Sequence, residues 1–263
     1  MRLLLVFFFF TNTILSQTTI IADTNFEKAL IELGHDSILD GEIITADIKN
    51  IELLYILGES IKSLNGIEDF TKLKELWCDR NELSTLNLSK NKNLYYLSCN
   101  ENKLDTLILG QKNKLKILSC NNNQLSHLDL SKSPQISSLE CNNNHLKNID
   151  LSNNPSLKTL VCNNNNLDSL LLNKNPLLKT LSCGYNQLNT LVTSNMLALK
   201  TLACESNKLK KLDLSNNKAL TWLECNNNMI KKLDLSNNSS LKLLWCDGNK
   251  FKCKALKKKY GIE

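Results

Sequence analysis

Residues 73–93 read LKELWCDRNELSTLNLSKNKN, and the chain repeats this pattern every 21 residues almost to its C-terminal end. The unit is L-x-x-L-x-C-x-x-N-x-L-x-x-L-x-L-S-x-N-x-x. Its cysteine returns without a slip as Cys78, Cys99, Cys120, Cys141, Cys162, Cys183, Cys204, Cys225 and Cys246. A strict period of this length denotes one supersecondary unit stacked many times, with each cysteine in the same environment. The asparagine at position 9 is equally regular, as Asn81, Asn102, Asn123, Asn144, Asn165, Asn186, Asn207, Asn228 and Asn249. Position 11 is always large and apolar, and position 14 is Leu or Ile until Lys254. Pro134, Pro155 and Pro176 all fall at position 20, where a residue without an N–H marks a loop.

The Leu-x-Cys segment alternates with period two, as a short strand with one buried face does. One such strand cannot bury that face alone, but stacked copies can, in a parallel sheet at about 4.8 Å per strand. The asparagine turns the chain, and its amide is suited to bond its own coil and the next in a ladder. Positions 11, 14 and 16 return apolar groups from the other wall. About six inward side chains per coil, at roughly 1.5–3 kcal/mol each, hold the array only as an array. The return half also reads L-x-x-L-D-L-S-x-N, but its asparagine lapses at Lys112, Ser133 and Met196. The cysteine half is therefore the expected main sheet, and the return leg an extended or turn segment with little room for helix.

These residues resemble leucine-rich repeats, L-x-x-L-x-L-x-x-N-x-L, with Cys for the third Leu. The cysteine-ladder unit looks most like the internalin J-like secreted repeat proteins of bacteria (Bacteroidetes type), over roughly residues 51–253. The resemblance implies a solenoid of the α/β horseshoe class, mostly strand and loop. It implies a parallel sheet on the concave face, short extended or 3-10 segments on the convex face, and a small helical N-terminal cap. It also implies recognition, adhesion-type roles included.

Residues 1–16, MRLLLVFFFFTNTILS, read as a secretory signal peptide. The apolar run of about eight residues is too short to span a bilayer, which needs about 20. No cysteine for a lipoprotein anchor lies near the cleavage point and no wall-anchoring signal is read, so a secreted or periplasmic chain is expected. Residues 17–50 break the period and read as a cap. Asp23 or Thr24 starts a helix, with Glu27 completing a capping box from Thr24. Phe26, Ala29, Leu30 and Leu33 give its apolar face, and Gly34 ends it. Residues 51–250 hold one irregular coil and nine regular ones. Residues 251–263 read as a basic C-terminal cap, its short helix ended by Gly261.

Ten cysteines in a secreted chain suggest disulfides. Nine of them, however, occupy a core position where buried free Cys serves as a small hydrophobe. Free packed thiols are the expectation, with no metal and no cofactor. Cys246 and Cys253 are the pair most suspected of bonding, because Cys253 lies outside the ladder. The smaller thiol also shrinks one wall of the coil, which is expected to set its curvature.

Positions 3 and 5 flank the inward leucine and point out of the concave sheet. All three tryptophans fall there, with Tyr55 and Tyr96. Exposed Trp is uncommon and enriched at interfaces. Tyr55, Trp77 and Tyr96 at one end, and Trp222 and Trp245 at the other, are the candidate ligand-binding residues; packing against the caps is the alternative. The formal charge is +6, and lysine recurs at position 2, which reads as a solvated row. Asp129, Asp150, Asp213 and Asp234 share position 15 and read as bonding local backbone. His35, His127 and His145 form no catalytic arrangement, and no phosphate loop or hydrolase elbow appears. The expectation is a monomeric recognition scaffold for a protein or surface glycan. A passive envelope protein is the alternative; neither enzyme nor nucleic-acid binder is expected.

Overall fold

The computed structural model describes residues 17–111 and 114–262, so the expected signal peptide lies outside the described residues. The chain begins with β1 (Thr18–Ile20), α1 (Thr24–Glu32), β2 (Glu42–Ile44) and α2 (Thr45–Ile48), where β1 and β2 pair antiparallel. The coils supply β3 (Leu53–Tyr55), β4 (Glu75–Trp77), β5 (Thr85–Asn87), β6 (Tyr96–Ser98), β7 (Thr106–Ile108), β8 (Ile117–Ser119) and β9 (Ser138–Glu140). They continue with β10 (Thr159–Val161), β11 (Thr180–Ser182), β12 (Thr201–Ala203), β13 (Trp222–Glu224) and β14 (Leu243–Trp245). The last element is α3 (Cys253–Tyr260).

Ten of these strands form one parallel sheet in the order β14-β13-β12-β11-β10-β9-β8-β6-β4-β3. Each residue pairs with its equivalent one coil away, as Leu160 does with Leu139 and Leu181. The register cannot slip by one residue, because that would turn every inward leucine to solvent. The fold is thus a stack of repeats, a parallel-sheet solenoid. Among the described residues, its return leg pairs only in the first two regular coils, β5 with β7. A 3-10 turn, Ile67–Asp69, serves the first coil there.

Inside each regular coil the strand leucine, the ladder cysteine and the apolar residues of positions 1 and 11 are buried, except that Phe251 of the last coil is half-buried. The position-9 asparagine closes the gap between coils. Asn165 Oδ1 accepts the Leu146 N–H at 3.0 Å, and its Nδ2 donates to Cys141 O at 2.9 Å and Cys162 O at 3.3 Å. The same three bonds recur at Asn102, Asn123, Asn144, Asn186, Asn207, Asn228 and Asn249. At the first regular coil, Asn81 makes the equivalent bonds, accepting from Ile61 N and donating to Ile56 O and Cys78 O, and accepts a further one from Glu59 N. One residue earlier, position 8 is left-handed in every regular coil, from Arg80 (φ 56°) to Gly248 (φ 69°). Asn tolerates that conformation better than most residues, which accounts for the Asn-Asn-Asn runs. The return leg has its own partial ladder: Asn154 donates to Leu130 O at 3.1 Å and Ser133 O at 2.8 Å.

Asp23 is the N-cap of α1, accepting from Asn25 N and Phe26 N at 2.9 and 3.1 Å. Its other oxygen accepts from Lys62 N and Ser63 N, tying the helix to the first coil. With Asp23 at the cap, Glu27 is one residue too far for a capping box. It instead accepts the Asp40 and Gly41 N–H groups at 2.7 and 2.6 Å and holds the loop before β2. Leu33 is also not on the buried face. It is the C-cap residue and 42% exposed, while Phe26 packs on Phe70 with ring centres 6.2 Å apart. At the far end, Cys246 and Cys253 are disulfide-bonded, and Tyr260 Oη donates to Asp234 Oδ1 at 2.9 Å. These two links hold α3 against the final coil, and Gly261 ends it in the left-handed region (φ 63°).

Candidate functional site

The side of each main-sheet strand opposite the core carries the candidate residues, because alternate side chains of a strand point oppositely. Tyr55, Trp77 and Tyr96 sit on adjacent strands β3, β4 and β6. Their rings stack in a column, with centroids 5.6 Å apart from Tyr55 to Trp77 and 4.3 Å from Trp77 to Tyr96. Trp222 and Trp245, on β13 and β14, lie 5.1 Å apart and tilted by 41°. The two groups are not brought together. Five strands separate them, so β6 and β13 are about 29 Å apart at about 4.8 Å per strand.

Trp77 and Tyr96, stacked on their neighbours, are half-buried. Tyr55 is 47% exposed, Trp222 40% and Trp245 37%. The N-terminal column is braced by groups the sequence reading did not single out. Glu75 accepts a hydrogen bond from Tyr95 Oη and another from Trp77 Nε1 at 3.4 Å. That bond raises the Tyr95 hydroxyl pKa above its usual value. Lys74 pairs with Glu52 at 2.7 Å beside it. Between the clusters the face is hydroxyl-rich, through Ser138, Thr159, Thr180 and Thr201.

A second missed feature runs along the sheet's C-terminal edge, at position 7. Asp79, Asn100, Asn121 and Asn142 each accept the backbone N–H of their successor, at 2.7–2.8 Å. Ser98 and Ser119 also donate into this row. The Asn-Asn-Asn runs were its only sequence signal. The row breaks at Gly184, which has no side chain to offer. Glu205 folds into that space, so that a Cβ on Gly184 would collide with its carboxylate, and Glu205 Oε2 is buried without a partner.

Burial raises the Glu205 pKa, nearby Glu224 adds to the rise, and its own backbone N–H opposes it. The folded state therefore binds more protons than the unfolded one. Stability should fall as pH rises from the ordinary Glu value of about 4.3 through the raised one. Glu205→Gln should flatten that slope in urea midpoints measured across the range; an unchanged slope would locate its origin elsewhere.

On the core side, eight cysteines are free and buried. Burial raises their thiols, to about 12 at Cys120, Cys162 and Cys225, so they stay neutral and unreactive. Asp129, Asp150, Asp213 and Asp234 each accept the N–H of the serine two residues on. Among the described residues, no three His, Cys, Asp or Glu side chains are grouped to hold a metal ion, and no helix is long and apolar enough to cross a membrane.

No protein-family model matches the chain, and no curated protein does. Solved structures do. The functional domain of InlJ from Listeria monocytogenes, which includes a cysteine ladder, superposes with a TM-score of 0.83 at 32% identity, over 92% of this chain and 56% of that one. The chain thus spans just over half of that domain. Internalin C2 from Listeria monocytogenes gives 0.63 at 21% identity, over 88% of this chain and 98% of that one. The leucine-rich repeat ectodomain of the receptor kinase GASSHO1/SCHENGEN3 from Arabidopsis thaliana, in complex with CASPARIAN STRIP INTEGRITY FACTOR 2, gives 0.68 at 20%, over 78% and 28%. The last two speak to fold alone. The chain is a leucine-rich repeat protein with a cysteine ladder, similar in kind to internalin J.

Proposed function

We propose that this chain is a secreted or periplasmic recognition scaffold whose concave sheet binds a protein, with Tyr55, Trp77, Tyr96, Trp222 and Trp245 as anchors. The observation that carries the reading is two aromatic clusters on one continuous face, with Tyr55, Trp222 and Trp245 exposed. Large rings held rigid before binding lose little entropy on contact. The receptor ectodomain of similar fold was solved with its partner bound, in keeping with this use of the architecture.

The ring geometry favours protein over glycan. A sugar packs on a ring face, and both faces of Trp77 are taken by Tyr55 and Tyr96. What Trp77 offers is its edge, beside the Glu75 carboxylate, which suits side chains and backbone amides. Adhesion to a cell surface is one setting in which such a scaffold would act, and the chain is taken to work as a monomer.

The test uses immobilised residues 17–263 against solubilised cell-surface proteins. A partner retained by the wild type should be weakened by Trp77→Ala and by Trp245→Ala, each by about thirtyfold, or about 2 kcal/mol. Melting should be unchanged, since these rings lie outside the core. A partner held equally by both variants defeats the reading. Binding on a glycan array would transfer it to sugars, and no retained partner would favour a passive envelope role.

A further inference from the structure

Charge is not spread evenly along the stack. Residues 17–107 carry sixteen acidic and nine basic side chains, whereas residues 208–259 carry thirteen lysines against four carboxylates. The basic excess is also ordered. Position 12 is Ser84, Asp105 and Ser126 in early coils but Lys210 and Lys231 in late ones, and position 13 becomes Lys211 and Lys232. These four lysines line a groove of about 400 Å³ on the return leg, on the wall opposite the concave sheet. All four are exposed, and among the described residues none has an ion-pair partner.

The carboxylates in the groove are already engaged. Asp213 holds Ser215 N at 3.0 Å, and Asp234 holds Ser236 N at 3.0 Å and Tyr260 Oη at 2.9 Å. The last bond brings the lysine-rich end of α3 to the groove, with Lys259 close enough to act on Asp234 electrostatically. The disulfide at the start of α3 fixes that arrangement.

We propose that this groove binds a linear acidic polysaccharide, carrying carboxylate or sulfate groups, along the stack. Two successive coils each present a lysine pair, a full coil's rise apart, which is longer than the about 3.3 Å between residues of an extended peptide. A pyranose unit is longer than an amino-acid residue, so one anionic group per sugar falls in step with one lysine pair per coil. Ser236 and Asn237, also lining the groove, offer neutral partners for sugar hydroxyls. The lining has no aromatic ring on which a nucleobase could stack. A recess between coils also keeps its floor from a flat bilayer. The site is separate from the concave face and does not depend on its role.

Titration of the full chain with polygalacturonate and with heparin, near physiological salt, tests this. The combined Lys210→Gln, Lys211→Gln, Lys231→Gln and Lys232→Gln variant should lose affinity by a factor on the order of 100. The same change at Lys116, Lys158, Lys179 and Lys200, exposed lysines of the position-2 row, should alter it less than about threefold. Exposed lysines are not needed for folding, so a shared melting temperature makes the comparison fair. The proposal is overturned if neither polysaccharide binds or if the control variant loses as much. It is equally overturned if a short DNA duplex, poly-L-glutamate or phosphatidylglycerol vesicles bind as tightly as the polysaccharides.

Discussion

Asn165→Ala is expected to destabilise the protein by about 3–5 kcal/mol. Asn165 is 6% exposed and serves two coils at once. Its removal strands the Leu146 N–H and takes one of two amide donors from each of the Cys141 and Cys162 carbonyls, which keep Asn144 and Asn186. A buried N–H left unpaired costs about 1–3 kcal/mol, and each of the two other lost bonds about 0.5–1.5 kcal/mol. Asn165→Asp should not rescue the loss, because it keeps the acceptor but aims a carboxylate at two carbonyl oxygens. Urea unfolding checks both. Since each coil contacts only its neighbours, a broken rung mid-array should also lower the m-value if the two halves uncouple. A cost under about 1 kcal/mol would mean that the ladder is ornamental to stability.

Replacing Cys120, Cys141 and Cys162 together by leucine is the second large effect. All three are fully buried beneath the sheet. Each leucine adds volume to a packed wall, at about 1–3 kcal/mol for overpacking. The three sit in consecutive coils, so relief at one presses on the next, and the combined cost should exceed the sum of the single variants. The same wall is held to set the curvature, and scattering profiles of the triple variant should report a changed bend. A melting temperature that is unchanged or raised would refute the volume argument.

The repeat and its direction were legible because both rest on periodicity. Cys78 to Cys246 and Asn81 to Asn249 placed strand, turn and core. The asparagine that never lapses in the cysteine half also told which half would be the main sheet. What was illegible depends on contacts between particular atoms. Glu27 reads as half of a capping box, but Asp23 takes the cap and Glu27 is drawn to the Asp40–Gly41 amides. Leu33 has helical spacing for the buried face, but the helix has ended before it can turn inward. The position-7 row was hidden because Asn100, Asn121 and Asn142 resemble ordinary loop asparagines until stacking aligns them. On the concave face, the positions of the five aromatic residues followed from strand alternation. Their mutual stacking, and the Tyr95–Glu75 brace, followed only from neighbouring strands being in register.

The most direct test is to count ladder thiols that react with iodoacetamide in the native protein, read by mass spectrometry. Cys246 and Cys253 are bonded to each other, which leaves Cys78, Cys99, Cys120, Cys141, Cys162, Cys183, Cys204 and Cys225. None of these should be modified in native buffer, and all should be modified once urea opens the array. Ready alkylation of the ladder in the folded chain would place its sulfurs in solvent and contradict the fold that sets the aromatic face.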